Sequence, residues 1–144
     1  MVEDAAGGWA EQRRRAVAAH AAADQRRRAA ETDEARQLVA AFVREAQERG
    51  LRPTRLTALA YNGRTRYRTA LTGWYLDHSR IYAIGVAGDF YLLTVPAGLR
   101  ARLTGVSPPP QPPKLIIGEG GPDGHSIPLP TLLRQRLDAG DNWP

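Results

Sequence analysis

Arg55-Leu56-Thr57-Ala58-Leu59-Ala60-Tyr61-Asn62-Gly63-Arg64-Thr65-Arg66-Tyr67-Arg68-Thr69-Ala70-Leu71 is the stretch that decides the fold. Two runs rich in Thr, Tyr and aliphatic residues flank Asn62-Gly63, the strongest short-range hairpin signal, because both turn residues tolerate positive φ. A two-residue turn pairs Tyr61 with Arg64, Leu59 with Arg66, Thr57 with Arg68 and Arg55 with Ala70 on one face. The opposite face carries Leu56, Ala58, Ala60, Thr65, Tyr67, Thr69 and Leu71. It is smoother and more apolar, so it is predicted to meet the core and to leave the arginine face outward.

Downstream, Gly73 interrupts the next run and reads as a bulge before Trp74-Tyr75-Leu76. Asp77-His78-Ser79-Arg80 reads as a turn, residues 81–86 as a strand, Ala87-Gly88-Asp89 as a tight turn and residues 90–95 as another strand. Both alternating sets in these later strands are apolar, which predicts cover on both faces. Residues 107–113 form a semi-rigid Pro-rich spacer without backbone donors at its prolines. Lys114-Leu115-Ile116-Ile117 reads as a last short strand, residues 118–124 as a loop, and Pro130 opens a final helix through Leu132, Leu133 and Leu137 toward Gly140.

Upstream, the composition inverts. Residues 9–49 contain neither Gly nor Pro and are rich in Ala, Arg, Gln and Glu, a helix-forming composition. Ala35, Leu38, Val39, Phe42, Val43 and Ala46 recur at helical spacing, and Gly50 stands where a helix stop belongs. Thr32 followed by Asp33-Glu34 reads as the start of this packed helix.

Residues 1–31 read differently. Ala10-Glu11-Gln12-Arg13-Arg14-Arg15-Ala16 is echoed by Ala23-Asp24-Gln25-Arg26-Arg27-Arg28-Ala29. The offset corresponds to about 220° of helix rotation, so the two Arg triplets wrap the helix instead of forming a stripe. With Trp9 and Val17 as the large apolar residues from position 9 onward, this segment is an Ala/Arg-rich arm that projects, frays or bends away near Glu31-Thr32. The reading is therefore α+β: a long N-terminal helical segment, an antiparallel meander of about four or five strands, and a short C-terminal helix, with residues 32–144 as one domain.

The 144-residue chain has a formal net charge of +5 and an isoelectric point near 10.2, which brings polyanions into consideration as partners. The surplus lies beyond the arm: from Arg49 to Leu76 there is no acidic residue. Lys114 is the only lysine, so the arginine preference reads as codon bias and is not scored as selection for phosphate binding. The absence of Cys removes disulfides and thiolate metal sites. Arg13-Arg14-Arg15 with the following alanines imitates a secretory signal poorly, since His20 interrupts it and Asp24 follows. No stretch is long and apolar enough to span a bilayer; a cytoplasmic location without a membrane partner is expected.

Motifs for chemistry are sparse. Residues 118–124 are glycine-rich after a strand, but Pro122 removes a donor and Glu119 and Asp123 would repel phosphate. The three histidines stand at no metal-ligand spacing, and neither a metal nor another cofactor is expected. Asp77-His78-Ser79 has the residue types of a triad, but sequence neighbours cannot adopt its geometry; only an arrangement across the fold, such as His125 with Asp77 or Asp89, would serve. The most specific functional candidate is the outward hairpin face, Arg55, Arg64, Arg66 and Arg68 around Tyr61 and Leu59. Guanidinium groups there would meet phosphates or carboxylates and the ring would stack a base, while the bland alternative has the Arg stems merely covering the sheet. The preferred function is a non-catalytic protein-interaction module, with a protein partner or self-association through the N-terminal helix. The alternatives are an accessory nucleic-acid binder using the hairpin face and, third, a small enzyme or ligand-binding domain.

Overall fold

A computed structural model describes residues 2–118 and 124–143, with side chains from residue 7 onward. The order of elements is α1 (Val2–Glu48), β1 (Thr54–Ala60), β2 (Arg66–Tyr75), β3 (Tyr82–Gly85), β4 (Phe90–Leu92), β5 (Thr94–Val95), α2 (Leu99–Thr104), β6 (Ile116–Ile117), β7 (Ile127–Pro128) and α3 (Leu129–Ala139). The fold is α+β, with a predominantly antiparallel five-stranded sheet.

α1 is one uninterrupted helix of 47 residues, about 70 Å long. Thr32 is thus not a helix start: without Gly or Pro nearby, nothing breaks the hydrogen-bond ladder at this point. The helix ends as its sequence requires. Leu51 N–H bonds Ala46 O at 2.8 Å and Gly50 N–H bonds Gln47 O at 3.1 Å, with Gly50 at φ 67°, which is a Schellman closure. Ala35, Val39, Phe42 and Ala46 are buried, whereas every side chain in 7–21 is exposed. The first part of α1 therefore projects and the second is a packed core helix.

β1 and β2 keep the predicted register near the turn, with Thr57 opposite Arg68 and Leu59 opposite Arg66. Two details differ. The connection is wider than two residues: Ala60 N–H bonds Thr65 O, Gly63 N–H bonds Ala60 O, and the Asn62 side chain accepts from Arg64 N and Thr65 N. Arg55 also lies opposite Thr72 and not Ala70, because the ladder is irregular between Arg55 and Thr57. The buried Thr69 hydroxyl fills that irregularity, donating to Leu56 O at 2.5 Å and accepting from Leu71 N at 3.1 Å. Gly73, expected to bulge, sits in regular pairing between Thr54 and Gly85. Its role is close approach, since a Cβ there would collide with the Ile84 carbonyl and Gly85 Cα.

The meander does not stay open. The strand order is β4-β3-β2-β1-β5, and β5 runs parallel to β1. Only Leu93 separates β4 from β5, and it joins both edges: its N–H bonds Ile81 O at 2.6 Å, and its carbonyl accepts from Leu59 N at 2.8 Å. The sheet thus closes on itself as a small barrel, leaving fewer unpaired edges.

Two apolar clusters follow from the alternation in β2, β3 and β4. Leu56, Ala58, Tyr75, Ala83, Tyr91 and Leu93 fill the inside of the closed sheet. Trp74, Ile84 and Phe90 point the other way, onto Val39 and Phe42 of α1 and Leu129, Leu132, Leu133 and Leu137 of α3. Trp74 anchors this layer, with its ring edge-on to Phe42 at 5.8 Å and its indole N–H donated to Leu51 O at 3.1 Å. The expected two-sided cover of the later strands is thus present. Burial of Phe42 and Val39 contributes about 1.5–3 kcal/mol each.

The Pro-rich segment is not a free spacer. Pro108 and Pro113 are buried, and Gln111 N–H bonds Phe90 O at 2.8 Å, which holds the segment along β4. The expected last strand is shortened to β6, paired with β7 in a separate ribbon. α3 begins behind Pro128, with Pro130 in its first turn as expected. The core of the glycine loop, residues 119–123, lies outside the described residues.

Candidate interaction surface

The closed sheet turns the outer face of β1 and β2 to solvent, and the hairpin arginines stand there. Their guanidinium groups are largely tied to backbone carbonyls. Arg66 donates to Thr57 O and Thr57 Oγ1 and, across the sheet, to Ser79 O at 2.7 Å and Arg80 O at 3.3 Å. It straps the β2–β3 turn to the hairpin. Burial, and then the neighbouring Arg80 charge, lowers its pKa, against the opposing effect of Tyr75 and Asp77. Arg55 donates to Thr69 O at 3.3 Å, and Arg68 to Leu103 O at 3.2 Å.

Arg64 and Tyr61 are exposed at the tip, with Tyr61 71% accessible. Carbonyl partners hold a guanidinium without neutralising it. Among the described residues the ion pairs are Arg15 with Glu11, Arg27 with Asp24, and Arg49 with Glu45 and Asp138, so none of the hairpin arginines is neutralised. Of the candidate residues, Arg55, Arg66 and Arg68 lie on the strands and each donates to a carbonyl within the fold, whereas Tyr61 and Arg64 lie in the turn. The carbonyl partners of Arg66 on Ser79 and Arg80 come from a turn whose position no local pattern reveals.

The histidine readings fare differently. Asp77 Oδ1 accepts from Ile81 N and Tyr82 N, which shapes the turn. His78 stacks on Trp143 at 4.5 Å, and the Arg136 guanidinium covers the same indole at 4.9 Å. Arg136 is itself buried, donating to Tyr75 O and Gly140 O, and burial lowers its pKa against the pull of Asp141. These two contacts on Trp143 hold the C-terminal end against the barrel. His125 is exposed and is not brought to Asp77 or Asp89 by any hydrogen bond or ion pair among the described residues. Among the described residues no three His, Cys, Asp or Glu gather as a metal site, and no helix is long and apolar enough to cross a membrane.

An open cleft of about 800 Å³ lies between the middle of α1 and the Pro-rich segment, with Arg28 and Thr32 on one side and Phe90, Leu92, Pro113 and Ile116 on the other. Neither His78 nor His125 lines it.

One feature escaped the sequence reading: α2, a single helical turn and a half bracketed by Gly98 and Gly105, which buries none of its residues. The arm is exposed as expected of a projecting segment, with Trp9 66% and Val17 64% accessible. The Gly98 and Gly105 brackets were the available signal for α2. No family model, no curated protein and no solved structure matches this chain.

Proposed function

We propose that the chain is a non-catalytic protein-interaction module, with the projecting part of α1 as its docking element. One observation carries this reading: over residues 7–21 a continuous helix leaves every side chain exposed, including Trp9 and Val17. A large aromatic on a projecting helix is the kind of anchor that a partner surface buries. Arg13 stands 5.7 Å from the Trp9 ring and keeps a cation over its face. A cytoplasmic location belongs to the same proposal, and cell fractionation reads it out.

Light scattering after size exclusion tests the docking element on the full chain and on a Trp9→Ser/Val17→Ser variant. The expected result is an assembly, with itself or with a co-purified partner, that the variant loses while its thermal midpoint stays unchanged. A monomer at every concentration, with the same retained partners in both proteins, overturns the proposal. The nucleic-acid alternative now rests first on Arg64 and Tyr61, because Arg55, Arg66 and Arg68 each donate to a carbonyl within the fold. Oligonucleotide affinity that falls steeply with salt would favour it.

A further inference from the structure

Between Arg49 and Gly118 the only acidic residues are Asp77 and Asp89, both in turns that flank β3. Barrel closure gathers the acid-free segments at another place. Ala60 pairs with Val95, and Tyr61 N–H bonds Val95 O at 2.9 Å, so the hairpin tip lies beside the chain leading into α2. α2 is fixed beside the first half of β2 by three bonds: Gly98 N to Tyr67 Oη at 3.0 Å, Val106 N to Arg68 O at 2.9 Å, and Arg68 Nη2 to Leu103 O at 3.2 Å.

What this corner displays is unusual for a soluble surface. Tyr61, Leu99 and Leu103 are 71%, 77% and 73% accessible, far more than Val86, Leu92 or Ile116, the other exposed large apolar residues beyond α1. Leu99 and Leu103 stand four apart, on one face of α2. Arg64, Arg68, Arg100 and Arg102 around them are exposed and reach no carboxylate among the described residues.

We propose that this corner binds the surface of an anionic lipid bilayer, which reverses the expectation of no membrane partner, since that rested on the lack of a spanning segment and not on surface attachment. Leu99, Leu103 and Tyr61 enter the boundary between headgroups and acyl chains, and the arginines meet the headgroup phosphates. A nucleic acid would account for the guanidinium groups but offers little apolar depth for two projecting leucines. A neutral protein surface would account for the leucines but leaves the positive charge unanswered. An anionic bilayer complements both. Three apolar side chains and four charges give reversible attachment, since stable anchoring needs further lipid-directed signals. The surface is separate from the arm and does not depend on the arm's role.

Co-sedimentation of the full chain with phosphatidylcholine vesicles containing about 30% phosphatidylserine, and with phosphatidylcholine vesicles alone, is the test. Binding is expected to the first and not the second. Leu99→Asp/Leu103→Asp should weaken it at least about tenfold, and Arg100→Ala or Arg102→Ala roughly fivefold each. These positions are exposed, and an unchanged thermal midpoint shows that the fold is intact. Trp9→Ser/Val17→Ser should bind vesicles like the parent protein, so failure of the arm reading and failure of this one are distinguishable. The proposal is overturned by equal indifference to both vesicles, by undiminished binding of the double Asp variant, or by capture of a single-stranded oligonucleotide while vesicles are ignored.

Discussion

Replacing Thr69 by valine tests whether a side-chain hydroxyl, and not the backbone ladder alone, holds the β1–β2 irregularity. Thr69 is 5% accessible, and its hydroxyl serves Leu56 O and Leu71 N together. Valine preserves the shape and removes both bonds. A buried backbone group left without a partner costs about 1–3 kcal/mol. Leu71 is half-buried and regains part of its loss from water, so about 2–4 kcal/mol is the expected sum. In a chain of this size that lowers the melting temperature by roughly 6–20 °C. Thr69→Ser keeps the hydroxyl and drops one methyl, at about 1 kcal/mol, and should melt between the two. Paired thermal and urea unfolding, followed by circular dichroism, gives the ranking. A valine variant as stable as the parent, or more stable than the serine variant, refutes the assignment of the hydroxyl.

Gly73→Ala places a methyl into the Ile84 carbonyl and forces β2 and β3 apart; a loss of about 3 kcal/mol or more is expected in urea unfolding, whereas Gly88→Ala, where the space is open, costs only the strain of its positive φ. Arg66→Ala releases the β2–β3 turn, which should raise amide hydrogen exchange at Ile81 and Tyr82 more than it lowers global stability, because the guanidinium is only partly buried. Burial, with Asp89 adding to it, raises the Tyr91 phenol pKa above its ordinary value of 10.0. A raised folded value means a contribution present below that pH and lost as alkalinity rises through the folded pKa; Tyr91→Phe should therefore lose less stability than the parent between neutral pH and strongly alkaline pH in matched urea titrations.

The parts of the fold that depend on a repeating local pattern were legible. Ala35, Val39, Phe42 and Ala46 mark one helix face whatever lies opposite, and the parity of Leu56, Ala58 and Tyr67 fixes which side of the hairpin is buried. What depends on a meeting of distant residues was not. Residues 90–95 read as one strand, and nothing in Phe90-Tyr91-Leu92-Leu93 tells that Leu93 bonds Ile81 on one side and Leu59 on the other. Thr32-Asp33-Glu34 resembles a cap, but the helix-forming residues ahead of it continue the ladder through it. The candidate surface was half legible for the same reason. The arginines share a face by parity, while the carbonyls that claim Arg66 belong to Ser79 and Arg80, and α2 is held by Tyr67 and Arg68 from a distant part of the chain.

The continuity of α1 also has a mechanical side. Trp9 and Ala35, the first fully buried residue of the helix among those whose side chains are described, are about 39 Å apart along an axis with no Pro or Gly between them. Such a rod turns as a unit: a tilt of about 5° where it leaves the core sweeps Trp9 through roughly 3 Å. Force applied at the free end therefore arrives as torque on the seat of Val39 and Phe42 against Trp74, and a partner that grips the arm has leverage on the barrel without touching it.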